Sequence, residues 1–205
     1  MTFAAWLSLA SICVLGAMSP GPSLAVVLKN TLAGGRSEGA KTAVAHGFGV
    51  GIYAFATAAG LAVLVTGSPM LFQAVQWLGA FFLAYLGIKA LRGNTGLAEA
   101  ARTETDLSYQ GHGFRVGFLT AFLNPKLALF FAALFSQFVS SRAHLPEKML
   151  MAFTAAFIDA AWYLLVVLVL TQSKVLGVLR SRAAIIDRIF GVLLILLAAR
   201  MFLSF

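Results

Sequence analysis

The sequence predicts an all-α membrane protein of six transmembrane helices, built as two inverted three-helix repeats with the first and fourth helices broken. Three observations carry this. The chain is 60% hydrophobic and only 11% charged over 205 residues, with a mean hydropathy of +0.92; a soluble domain carries roughly a quarter charged residues. Six apolar runs are each long enough for a span of about twenty residues. Two of those runs are interrupted in corresponding places, by Ser19-Pro20-Gly21-Pro22 and by Asn124-Pro125-Lys126.

The runs are Phe3–Leu28, Thr42–Thr66, Pro69–Leu91, Phe114–Val139, Glu147–Thr171 and Ala183–Leu203. The first opens on Met1-Thr2-Phe3-Ala4-Ala5-Trp6 without a basic stretch. A cleavable leader normally begins with Lys or Arg, so a retained span is expected. Proline lacks an amide donor and clashes with the preceding turn, so the first span should break at Pro20–Pro22. Irregular backbone at membrane depth survives only inside protein or beside a watery cavity. The second and third spans are joined by Gly67-Ser68 alone and should form a tight antiparallel hairpin.

The third span ends at Lys89 and Arg92, before the one extended polar stretch, Gly93–Gly113, expected to be a solvated cytoplasmic loop. The fourth span breaks at Asn124-Pro125, and the fifth carries Asp159, Trp162 and Tyr163. In the sixth, Gly191-Val192-Leu193-Leu194-Ile195 echoes Gly79-Ala80-Phe81-Phe82-Leu83 of the third. Repeat one would cover about 1–92 and repeat two about 114–205, as a single transporter domain. Three spans is an odd number, so the second copy must be upside down, a common plan for secondary transporters with a midplane site at the junction.

Charge sets the orientation. Lys29, Arg36, Lys41, Lys89, Arg92, Arg102, Arg115, Lys174, Arg180, Arg182 and Arg188 fall on the links after spans one, three and five. Only Arg142, Lys148 and Arg200 fall on the other side. The positive-inside rule then puts the first set in the cytoplasm and both termini outside. The formal net charge of +8 is scattered between apolar runs, so it suits topology and anionic lipid rather than nucleic acid. The lone cysteine, Cys13, lies in an apolar run and reads as a core thiol.

Candidate site residues follow from depth. Lys126 and Asp159 each fall near the centre of a span, where a charge is costly and normally faces the bundle interior with a partner. Each is the other's expected partner, either as a structural ion pair or as a pair opened by substrate or proton. No second intramembrane aspartate is expected beside Asp159. Pro20, Gly21 and Pro22, with Asn124 and Pro125, should leave free backbone groups and two positive half-helix ends suited to a carboxylate. Gly21 should admit close approach of substrate or backbone.

His46, Tyr53 and Thr57 share one face of the second span. Tyr53 is expected either to line the cavity or to make an interhelical hydrogen bond. His46 is a candidate proton relay, although its place near the cytoplasmic end also fits a hydrated histidine of no function. Tyr163, four residues beyond Asp159, could orient the carboxylate, with Trp162 packing beside it. Trp6 and Trp77, near span ends, suit an interfacial belt.

No His-Glu-x-x-His, Gly-x-Ser-x-Gly or phosphate-binding loop is present, so neither an enzyme nor a nucleotide-driven pump is indicated, and no cofactor is expected. Metal efflux is disfavoured by the single cysteine and the widely separated histidines.

Taken together, Ser19-Pro20-Gly21-Pro22, Gly47 with Gly51, Leu86-Gly87 with Lys89, Asn124-Pro125-Lys126, and Asp159 with Trp162 resemble the LysE/RhtB family of small amino-acid exporters. The resemblance runs from Trp6 to Leu203. It implies a bacterial inner-membrane protein that exports amino acids or close derivatives from the cytoplasm, with proton coupling through Asp159 and His46 as the expectation. Members differ in cargo (lysine, threonine, homoserine, leucine and, in one branch, cadmium), so the family alone does not name it. Another small solute or a metal ion, or a non-transporting channel or scaffold subunit, are the alternatives. The expected partners are a small-molecule substrate and the lipid bilayer, with a homo-oligomer left open.

Overall fold

A computed structural model describes residues 1–19, 21–92, 112–139, 144–169 and 173–203, the side chains of 173–183 and 186 excepted. Every regular element among them is an α-helix: α1 (Phe3–Met18), α2 (Pro22–Gly67), α3 (Pro69–Leu91), α4 (Gly113–Phe122), α5 (Pro125–Phe135), α6 (Leu145–Val169) and α7 (Ser173–Leu203). Pro20 and nearly all of the expected loop at 93–113 lie outside the described residues; Gly113 itself already opens α4.

Both predicted breaks are present. Thr2 caps α1 through its hydroxyl, and α1 stops at Met18 with Ser19 extended. Gly21 is extended at φ −161° and ψ −176°, and Pro22 restarts the chain as the first residue of α2. Proline suits that position because its missing amide would be unpaired there in any case. The second break has the same chemistry. Asn124 caps α5, its side chain accepting from the Lys126 amide at 3.0 Å, and Pro125 is the first helical residue. The axes of α4 and α5 meet at 54°.

Helix α2 is two helices in sequence. Gly35 stands at φ +79°, in the left-handed region that favours glycine, and there the chain folds back on itself. Asn30 Nδ2 consequently donates to Thr42 Oγ1 at 2.9 Å, a contact that residues twelve apart on a straight helix could not make. The arm at 22–34 completes the broken first run. The arm at 36–67 is a helix of about 48 Å, several residues longer at its start than the expected Thr42–Thr66. Similarly, α7 begins ten residues before the expected Ala183, because the stretch holding Lys174, Arg180 and Arg182 is helical without being apolar. Ser68 alone joins α2 to α3, as the short link predicted.

Close packing holds the bundle together. The 36–67 arm runs antiparallel to α6, and a Cβ on Gly47 would lie 2.8 Å from the Ala156 carbonyl oxygen. Helix α3 runs antiparallel to α7 in the same fashion. A Cβ on Gly87 would sit 2.8 Å from Gly191 O, and one on Gly191 would sit 2.7 Å from Gly87 O. The core lies between the layers, with Leu9, Val50, Leu83, Leu134, Phe135 and Leu194 fully buried.

The outer surface is as apolar as the core: Phe81, Phe153, Phe157, Leu168 and Leu196 are all exposed. Such a surface is at home in hydrocarbon and would aggregate in water. Among the described residues, α2, α3 and α6 are long and apolar enough to cross a bilayer, and α4 with α5 forms a fourth, broken span.

Candidate functional site

The two breaks open onto one cavity. Gly21, Pro22 and Ser23 line it from the first break, and Asn124 and Lys126 from the second. His46 enters from α2, and Asp159 and Tyr163 from α6. The centre of a water molecule can roam about 70 Å³ inside it. That is room for about five waters, and the cavity shares Ser19, Pro22, Asn124, Lys126 and Phe190 with a larger one beside it.

The electrostatic centre is a buried pair. His46 Nδ1 lies 2.6 Å from Asp159 Oδ2, with the imidazole 1% exposed. The structure thus gives Asp159 a hydrogen-bond partner, His46, that the expected pairing with Lys126 did not include. It also moves His46 from a hydrated helix end to the interior, because the 36–67 arm begins well before His46. Histidine donating from Nδ1 to a carboxylate fixes the ring and leaves Nε2 as its second functional atom. Nε2 is buried and has no hydrogen-bond partner among the described residues. An unsatisfied buried polar atom costs about 1–3 kcal/mol. A ligand or proton-carrying group that satisfied it would recover that amount, roughly five- to more than a hundredfold in affinity. The Tyr163 ring stands edge-on to the imidazole, centroids 5.1 Å apart, and is itself buried.

Of the residues singled out from sequence, Gly21, Pro22, Asn124, Lys126, Asp159, Tyr163 and His46 share this cavity. Pro125 lines an adjoining cavity with Lys89, Tyr85 and Lys126. Tyr53 lines neither; it packs its ring against Phe122 at 6.1 Å within the apolar core. Trp162 packs beside Leu24 and Val27, and Trp6 donates to Thr154 Oγ1 at 3.1 Å.

One buried acid escaped sequence reasoning. Asp187 on α7 is 4% exposed and accepts from the Ser19 hydroxyl at 3.2 Å. Asp187 is thus a second buried aspartate, beyond the one expected at position 159. The signal was available, since Asp187 lies inside the apolar run 183–203, where any ionisable residue marks function or a partner. Among the described residues, no three His, Cys, Asp or Glu side chains come together to hold a metal ion.

A polar cavity at the junction of two broken helices, inside a bundle with an apolar exterior, defines a membrane transport protein. The chain belongs to the LysE type translocator family, which matches it over residues 14–204. Leucine efflux proteins of Salmonella choleraesuis and Salmonella typhimurium are each 33% identical to it over 186 residues, covering 89% of this chain and 87% of theirs. An uncharacterized membrane protein of Vibrio cholerae is 30% identical over 156 residues, 76% of this chain and 75% of that one. No solved structure matches.

Proposed function

We propose that this protein is a secondary transporter of the bacterial inner membrane that exports amino acids from the cytoplasm in exchange for protons. The observation that carries this reading is the convergence of two helix breaks, Lys126 and the His46–Asp159 pair on one cavity. The half-helix ends at Pro22 and Pro125, together with Lys126, favour the substrate carboxylate. Asp159 is the counter-charge for the ammonium group, and His46 Nε2 is the atom that takes up the proton. In the outward-bound step substrate occupies the cavity; in the return step the proton on the histidine–aspartate pair replaces it. The leucine efflux proteins among its relatives agree with an amino acid as cargo.

The proposed architecture is six spans in two inverted repeats, about 1–92 and about 114–205, with both termini outside. The pattern of helix neighbours supports it. Exchanging the first broken span for the second, the 36–67 arm for α6, and α3 for α7 keeps the two antiparallel pairs and maps α1 against α6 onto α4 against α2. Gly87 and Gly191 face each other at nearly the same chain separation as Pro22 and Pro125, which makes Gly87, rather than Gly79, the counterpart of Gly191. Gly79 packs against Ala133 instead.

The test is export from cells producing the chain, with intracellular amino acids measured across a panel of amino acids and toxic analogues. Lowered accumulation that is lost when the proton gradient is dissipated is the expected result. Flux that persists without a gradient would make the protein a channel, and no flux for any amino acid would leave a scaffold or a carrier of another solute.

A further inference from the structure

Two groups of side chains line the cavity. His46, Asp159 and Tyr163 pack together as a polar group, and Gly16 on α1, Phe130 on α5 and Phe190 on α7 pack together as an apolar one. Phe130, Phe131 and Phe190 are all 7% exposed or less, and the rings of Phe130 and Phe190 lie 6.3 Å apart. Gly16 faces those two rings: a Cβ there would lie 3.3 Å from Phe130 Cζ and 3.8 Å from Phe190 Cε2. The absence of a side chain at position 16 is what leaves space beside the two rings.

We propose that Gly16, Phe130 and Phe190 form the side-chain pocket of the transporter and restrict its cargo to neutral amino acids with a short aliphatic side chain. The inference rests on the export reading above and deepens it. Charge and size both point to this class. A zwitterion engages the acid and the base of the cavity, Asp159 and Lys126, and Gly16, Phe130 and Phe190 themselves offer no group to pair a third charge. A lysine or glutamate side chain would therefore be desolvated without a partner. Phe130 and Phe190 crowd Gly16, so an aromatic side chain placed there would have to displace one of the two rings.

The experiment is uptake of labelled leucine into inverted membrane vesicles, energised by a proton gradient, with unlabelled amino acids as competitors. In the wild type, leucine, isoleucine and valine should compete at least tenfold better than lysine, glutamate or phenylalanine. Gly16→Ala adds one methyl group where Phe130 must give by a few tenths of an ångström, and alanine is the better helix former. It should shift the preference from leucine toward alanine by about tenfold, within the range that one methylene is worth in an apolar pocket. Phe190→Leu should have the opposite effect and let phenylalanine compete about tenfold better.

If labelled leucine and every other labelled amino acid fail to enter wild-type vesicles, the export reading itself falls. If amino acids are transported but charged ones compete best, or both variants keep the wild-type ranking, the export reading stands and the pocket assignment is overturned. Should neither variant reach the membrane, the wild-type competition series still decides, since a preference for charged cargo contradicts the pocket.

Discussion

At the residue scale, the chemistry condenses on His46 and Asp159. Groups that act as one unit give strongly non-additive losses when removed singly and together. His46→Ala and Asp159→Asn should each lower the initial rate of export by a hundredfold or more at matched membrane levels, and the double variant should be no slower than the worse single one. A double variant whose loss equals the product of the two single losses would show that the residues work separately. Lys126→Ala is expected to raise KM more than it lowers kcat, since the lysine meets the carboxylate in the ground state. A pure kcat effect would point to a role in the conformational step.

Much of this site can be read from the sequence, and the exceptions have physical causes. Asn124, Lys126, Asp159 and Tyr163 are recognisable because polar groups within apolar runs need partners. The partner of Asp159 is not, because His46 lies 113 residues away and the sequence carries no register between packed helices. Position within the apolar runs, which is all the sequence offers, points to Lys126 instead. Tyr53 shares a helical face with His46, yet the 36–67 arm presents that face to two surroundings: the cavity near its start and the aromatic core against α4 further along.

At the element scale, the broken helices are the working parts. Pro125→Ala restores an amide that can join the helix ladder, so α4 and α5 should run straighter and the bend that opens the cavity should relax. Export should fall at least tenfold while membrane insertion stays normal; unchanged export would reduce the proline to a shaping role. Of the two approaches expected at Gly21, that of backbone is absent among the described residues, which leaves the space to substrate. A Cβ there meets nothing nearer than Ser19 O at 4.0 Å, and its extended backbone suits any residue. Gly21→Ala should therefore fold normally and, by placing a methyl group in the cavity wall, raise KM by several-fold with kcat preserved. A collapse in membrane level would mean that the break needs glycine for its backbone.

The fold-back at Gly35 and the long start of α7 were beyond hydropathy. A window average registers apolar content and cannot see a single left-handed residue between two good helical stretches, nor a helix that continues into the headgroups on polar residues. Composition and the two proline motifs were enough for the broken spans themselves, because proline acts locally and regardless of what packs against it.

At the scale of the whole molecule, the two halves are tied at the base of α4. Glu38 on the 36–67 arm accepts from the Gly113 amide at 2.9 Å and from Lys41 Nζ at 2.6 Å. A carboxylate is favourable at the amide end of a helix, so this contact anchors the second half as the chain returns from 93–111. Glu38→Gln should lower the Tm in detergent without altering the ranking of cargoes; a changed ranking would make the contact part of the transport cycle. The proposed orientation is tested by single cysteines placed in 93–113 of a Cys13→Ala chain. They should be labelled by a membrane-impermeant reagent in inverted vesicles only, and labelling in intact cells would reverse the direction of transport.

The short roster of ionisable groups around the cavity has an electrical consequence. A zwitterion leaving the cell carries no net charge, so in the proposed exchange the proton entering on the His46–Asp159 pair would be the whole current of the cycle. Each turnover would then draw on membrane voltage as well as on the pH difference. A potential of 100 mV acting on one charge is worth about 2.3 kcal/mol, enough on its own to hold a gradient of roughly fiftyfold. The exporter would thus keep working when the two sides are at equal pH, provided the inside stays negative.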